Sequence, residues 1–128
     1  MREAYEQTSK RAHEQMRIYG IKNCDTVKKA LTHLDTNGIA YEFHDYKKLG
    51  IEASKIKNWA KKFPLEKLIN KKGPTYRKLS DEDKNNLEKI STAIPVMIAN
   101  TSVIKRPILE LNDKIILGYD ENEYYSLK

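Results

Sequence analysis

Residues 17–45 constrain the fold most strongly, because the hydrophobic period changes twice within them. Arg17-Ile18-Tyr19-Gly20 reads as a short apolar strand. Val27, Ala30, Leu31 and Leu34 then recur at helical spacing, which predicts an amphipathic helix over residues 25–37, with Asn37-Gly38 as its stop. Residues 39–45 alternate Ile39, Tyr41 and Phe43 against Glu42 and His44, the pattern of a half-buried strand. Strand, crossover helix and strand make a βαβ unit. Such a crossover sets its two strands parallel and places the loop after the first at the carboxyl edge of the sheet.

The rest of the chain punctuates clearly. Ile56, Trp59, Ala60 and Phe63 share one helical face, and Pro64 ends that helix. Leu65, Leu68 and Ile69 mark a short turn of helix, and Gly73-Pro74 is expected to break the chain. Ser80, with Asp83 three residues on, resembles a capping box for a helix carrying Leu87 and Ile90. Pro95, Met97 and Ile98 lie in another helical piece. Val103 to Leu111 leads into a strand, Asn112-Asp113 turns a hairpin, and Lys114 to Gly118 returns antiparallel. Residues 120–127 form a last polar helix or turn. The order is β-α-β, a helical block, then β-β-α: an α/β, thioredoxin-like arrangement with a four-stranded mixed sheet and a helical insertion at about residues 51–102.

Residues 1–15 are polar and show no apolar stripe. Met16 stands directly before the first strand, so one domain over 16–128 is expected, with 1–15 as a tag-like or disordered extension. The N-terminus has no signal-peptide pattern, and no apolar run reaches membrane-spanning length. The net charge of +6 belongs entirely to residues 16–128. It reads as attraction to anions or as a lysine-rich solubilising surface. The lysine pairs 28–29, 47–48, 61–62 and 71–72 are spread along the chain, a weak footprint for nucleic acid. His13, His33 and His44 have no metal-ligand spacing, so no metal site is expected.

Cys24 is the only cysteine, which excludes an internal disulfide, a Cys-x-x-Cys pair and a multi-cysteine zinc site. The simplest compartment is the reducing cytoplasm. Cys24 falls where the loop after the first strand meets the predicted helix, with Lys22, Lys28 and Lys29 nearby. Backbone N–H groups, the helix dipole and cations at that place favour the ionised sulfur, which is the nucleophile. A lone cysteine buried as a small hydrophobe is the competing reading.

Four segments in order carry a resemblance: Gly20-Ile21-Lys22-Asn23-Cys24-Asp25-Thr26-Val27-Lys28-Lys29-Ala30, Phe43-His44-Asp45-Tyr46, Tyr76-Arg77-Lys78-Leu79 and Ile104-Lys105-Arg106-Pro107. Over about residues 16–128 the chain resembles the ArsC/Spx family of thioredoxin-like proteins, closest to the short branch regarded as glutathione-dependent thiol reductases. The resemblance implies a four-stranded mixed sheet with a helical insertion and makes Cys24 the catalytic nucleophile. It implies that Arg106, before a cis-proline at Pro107, binds an oxyanion or a glutathione carboxylate. Two arginines of arsenate reductases of this type are missing. Asn70-Lys71-Lys72 stands where one belongs and Tyr119 where the other does, which argues against arsenate as the natural substrate. Lys71, Lys72 and Arg77 are candidate substitutes as cations.

The expected activity is therefore a single-thiol oxidoreductase. Cys24 attacks an oxidised sulfur or an oxyanion, and external glutathione or a glutaredoxin-like partner resolves the adduct. Lys22 and Asn23 join Arg106 and Pro107 around the incoming anion. Thr26 either bonds the sulfur or caps the helix. His44, opposite Ile39, Tyr41 and Phe43, is read as structural. The alternative is an Spx-like regulator that binds RNA polymerase; Val27 replaces the second cysteine of the switch such regulators often carry.

Overall fold

The structure, a computed structural model, describes residues 16–127; the expected N-terminal extension lies outside them. The described chain divides into two compact units. One combines the chain up to His44 with Arg106 onward, and the other is Asp45–Lys105.

The first unit holds β1 (Met16–Gly20), α1 (Asp25–Thr36), β2 (Glu42–Asp45, whose last residue opens the other unit), β3 (Ile108–Leu111), β4 (Lys114–Leu117) and, after it, the short C-terminal helix Glu121–Tyr125. The strands form one mixed sheet in the order β2-β1-β3-β4, with one parallel pair and the rest antiparallel. Ile18 pairs with Leu109, which pairs with Ile116. These side chains bury against Ala30, Leu34 and Tyr124 in one core, flanked by Ile39, Tyr41 and Phe43. The opposite face is more polar: Arg17 holds Glu42 at 2.8 Å, and the Tyr19 hydroxyl donates to Glu110 at 3.1 Å.

The strand expected at 39–45 is shorter. Ile39 and Tyr41 do pack on the core, but strand pairing starts at Glu42. The Ile39 N–H reaches the Leu34 carbonyl at 2.9 Å and the Tyr41 hydroxyl donates to Asp35 at 3.0 Å, so this stretch is tied to the end of α1 instead.

The second unit is helical: α2 (Tyr46–Leu49), α3 (Ala53–Lys62), α4 (Leu65–Leu68), α5 (Pro74–Lys78), α6 (Asp81–Asn86), α7 (Ile90–Ala99) and a 3₁₀ turn at Thr101–Val103. The C-terminal helix Glu121–Tyr125 is α8. Ile56 and Trp59 of α3 bury beside α7, which contributes Ala93 and Met97. One element is new, and two expectations are corrected. Asp45 caps α2 by accepting the Lys47 N–H at 2.9 Å, a helical turn the periodicity did not show. Pro74 does not break the chain; it opens α5, where its missing N–H costs nothing. Leu87 and Ile90 belong to separate elements. Ser80 caps α6 as expected, but the chain turns at Leu87 and a new helix begins at Ile90, pinned by the Thr92 hydroxyl on the Asn86 carbonyl at 2.7 Å.

Val103 and Ile104 lead toward β3 without joining the sheet. They form a small antiparallel bridge with the α4 exit: Ile69 pairs Ile104, the Asn70 N–H reaches the Val103 carbonyl at 2.7 Å, and the Lys105 N–H reaches the Leu68 carbonyl at 2.8 Å.

Candidate active site

Gly20 ends β1 where the sheet meets the first turn of α1. A Cβ at Gly20 would lie 2.8 Å from Val27 Cγ2, closer than real contacts allow, so only glycine lets strand and helix approach this way. Ile21 stays buried, Lys22 and Asn23 are exposed in the turn, and Cys24 takes the N-cap of α1 with extended backbone angles (φ −131°, ψ 123°). Its carbonyl accepts the Lys28 N–H at 2.9 Å, the first bond of the helix. The Cys24 side chain makes no capping bond, and among the described residues no other side chain is bonded to these first amides. The first-turn amides are therefore open to an incoming anion beside the half-buried sulfur. The cap position belongs to Cys24 and not to Thr26, which is exposed within the first turn; Asp25 supplies the acid that this turn favours.

The sheet register brings in the second element. Tyr19 pairs with Ile108, so the loop leaving β1 and the residues entering β3 share one end of the sheet. Those entering residues are Arg106 and Pro107, joined by a cis peptide bond. Pro107 is buried, and its carbonyl accepts the Gly118 N–H at 2.7 Å. Gly118 has φ +74°, a conformation that favours glycine, so β4's exit is shaped to hold the proline loop. Lys22, Asn23, Cys24, Arg106 and Pro107 are thus gathered at one sheet end. A nucleophilic sulfur, open helix amides and a guanidinium at one edge can together attack and hold an anionic electrophile.

The remaining candidates lie in the helical unit. Lys71 pairs with Glu88 at 3.3 Å, the Lys72 N–H donates to Asn70 Oδ1 at 3.2 Å, and Arg77 is exposed on α5. His44 packs its ring on Tyr19 at 4.9 Å, on the sheet face away from Ile39, Tyr41 and Phe43. Tyr119 packs beside His33 and Tyr124, and its hydroxyl lies 3.2 Å from His33 Nδ1. Among the described residues no group of His, Cys, Asp and Glu is arranged to hold a metal, and no helix is long and apolar enough to cross a membrane.

Sequence reasoning missed the residues that shape the site rather than line it: Gly20 and Gly118. The signal available was the placement of glycines directly at strand ends.

Comparison with known proteins agrees with this geometry. The ArsC family pattern matches residues 19–127. An uncharacterised protein of Haemophilus influenzae is 41% identical over 107 residues, covering 84% of this chain and 93% of that one. The solved structure of a YffB protein superposes with a TM-score of 0.83 at 40% identity, covering 88% of this chain and 98% of the other. An arsenate reductase (ArsC) related protein from Brucella melitensis superposes with a TM-score of 0.67 at 42% identity, covering 88% and 92%. An arsenate reductase from Vibrio cholerae, 18% identical, shares the fold, with a TM-score of 0.70. A lone cysteine at the N-cap position of the first helix of a thioredoxin-like sheet, at the sheet end where an Arg-cis-Pro segment enters, and these likenesses over nearly all of the described residues place the chain in the ArsC family.

Proposed function

We propose that this protein is a thiol oxidoreductase that works with one cysteine and takes its reducing equivalents from glutathione. The observation that carries the reading is Cys24 at the uncapped N-terminus of α1, at the sheet end where Arg106 and cis-Pro107 enter β3. The ionised Cys24 sulfur attacks the glutathione sulfur of a mixed disulfide. A Cys24–glutathione disulfide forms, and the substrate leaves as its thiolate, which takes a proton from water. A second glutathione thiolate then attacks the glutathione sulfur of that adduct. Oxidised glutathione departs and Cys24 is restored. Electrons balance: one disulfide is reduced and one is made. The second thiol comes from outside because the chain has no other cysteine.

Arg106 and the first-turn amides of α1 hold the carboxylates of the glutathione moiety, and Lys22 adds positive charge at the entrance. Asn23 orients the incoming group. The relatedness to proteins described as arsenate reductase-related supports thiol attack on an anionic substrate. The resemblance sets Asn70-Lys71-Lys72 and Tyr119 where arsenate reductases of this type carry arginines, so glutathione disulfides, with their separate carboxylates, suit the chain better than a compact oxyanion. Lys71, Lys72 and Arg77 are secondary candidates. The reducing cytoplasm supplies the co-substrate.

The test is turnover of a glutathione–hydroxyethyl mixed disulfide by protein and glutathione, with intact-mass spectrometry of the resting and reacting protein. A single glutathione adduct that disappears on adding glutathione, and the loss of both adduct and turnover in Cys24→Ser, are expected. Turnover that survives Cys24→Ser would refute the reading.

A further inference from the structure

The charges of the helical unit are sorted by element. Three of its 7 acids, Asp81, Glu82 and Asp83, sit together in the first turn of α6, where the helix dipole favours them. α3 is the opposite case. It contains Lys55, Lys57, Lys61 and Lys62 and no acid; Glu52 precedes it and Glu66 lies beyond its end. Its buried side, Ile56 and Trp59, packs beside α7, which has no charged residue. Its exposed side is Ser54, Lys57, Asn58, Lys61 and Lys62. Among the described residues neither Lys57 nor Lys61 has an ion-pair partner. The helix dipole accounts for Lys61 and Lys62 in the last turn, but not for Lys57.

Every residue on that side is of a type that contacts phosphate, lysine as a point charge and serine and asparagine through hydrogen bonds. It has no arginine to fork a carboxylate or a guanine edge. It has no exposed ring on which single-stranded bases could stack, since Trp59 is fully buried. No large apolar side chain is exposed there to enter a lipid surface or fill the dry centre of a protein interface. Lys57 and Lys61 are one turn apart, about 6 Å along the helix axis. Successive phosphates of one duplex strand advance about 3.4 Å, so such a row of cations meets several of them.

We propose that the exposed side of α3 binds double-stranded nucleic acid through its phosphates, without reading the bases. This surface goes beyond the oxidoreductase reading and does not depend on it. Along the sequence the lysines look dispersed; the fold collects four of them on one helix with nothing acidic between.

The test is fluorescence anisotropy of two labelled DNA duplexes of unrelated sequence, each of about 20 base pairs, titrated with the full chain between about 0.05 and 0.15 M salt. The two duplexes should bind within about twofold of each other. Contacts from Lys57, Lys61 and Lys62 set the slope of log affinity against log salt at about −2.7, a twentyfold loss over that range. The double variant Lys57→Gln, Lys61→Gln should bring the slope to about −0.9 and the loss to about threefold. The double variant Lys47→Gln, Lys48→Gln removes the same charge from α2 and should keep the parent's slope. All four positions are exposed, so both variants should fold. If they do not, amide shifts in the parent protein carry the test, with the largest changes on adding duplex expected in α3. No binding at the lowest salt overturns the proposal. So do a slope that falls equally in both variants, a strong preference for one duplex, or shifts centred outside α3. Polyglutamate competing as well as duplex also overturns it and assigns the surface to an acidic protein.

Discussion

A single methyl group added at Gly20 would press on Val27, whose side chain is fully buried at the start of α1. Gly20→Ala is therefore expected to cost about 1–3 kcal/mol, read as a lower urea midpoint at constant slope. Combined with Val27→Ala, its effect should be clearly less than additive, since the smaller side chain makes room. Cys24 was legible at this scale because a strand end, a turn and a helix start are all written in consecutive residues. Asn70 and Gly118 were not. Their partners, Val103 and Pro107, are distant in sequence, and no periodicity announces a bond between such residues. His33 was also missed: a polar letter in the helix pattern conceals a ring that is 8% exposed.

That ring belongs to the contact between α1 and α8. The rings of Tyr119, Tyr124 and Tyr125 meet it edge-on, with centroids 4.7 to 6.0 Å away. Tyr124 is fully buried and its hydroxyl has no hydrogen-bond partner among the described residues. Burial pushes its phenol well above the ordinary tyrosine value, with the charges of Tyr119 and Glu123 adding to the effect. The sign follows. Below the unfolded tyrosine value of about 10, both states hold the proton and the full stability is present. As pH rises above it the unfolded chain ionises first, and stability is lost toward the raised folded value. Tyr124→Phe should flatten this alkaline loss, measured as urea midpoints across the alkaline range. At neutral pH it should leave stability equal or raise it by about 1 kcal/mol, because the orphaned hydroxyl is gone. A marked loss at neutral pH would show that the hydroxyl has a bonding role. At this scale α1, α3, β3 and β4 follow directly from periodicity. The short helices do not: α2 and α5 are each about one turn long, set by a cap or a proline rather than by an apolar stripe.

Over the whole molecule the charge is not spread as the sequence suggested. Residues 45–105 hold 14 lysines and arginines against 7 acids, while residues 16–44 and 106–127 together hold 6 against 8. The helical unit carries the positive excess, and the cysteine-bearing unit is slightly acidic. The chain as a whole carries +6, so an anionic reagent should meet it under attraction and a neutral one should not. The rate of Cys24 with glutathione disulfide is expected to fall severalfold between low salt and about 0.2 M, whereas hydroxyethyl disulfide should react at a constant rate. Equal salt dependence for both reagents would show that net charge does not govern the reaction at the sulfur.

The cysteine-bearing unit is assembled from two stretches of chain separated by all of residues 45–105. β1 has no antiparallel neighbour until β3 arrives from the far side of that separation. The β3–β4 hairpin and the helical unit can form from local contacts, but the β1–β3 pairing must close a long loop first, at an entropic cost that grows with the logarithm of loop length. A helical segment that is already folded shortens the effective loop and lowers that cost. The helices are thus expected to consolidate early, and the sheet end that presents Cys24 to be completed last.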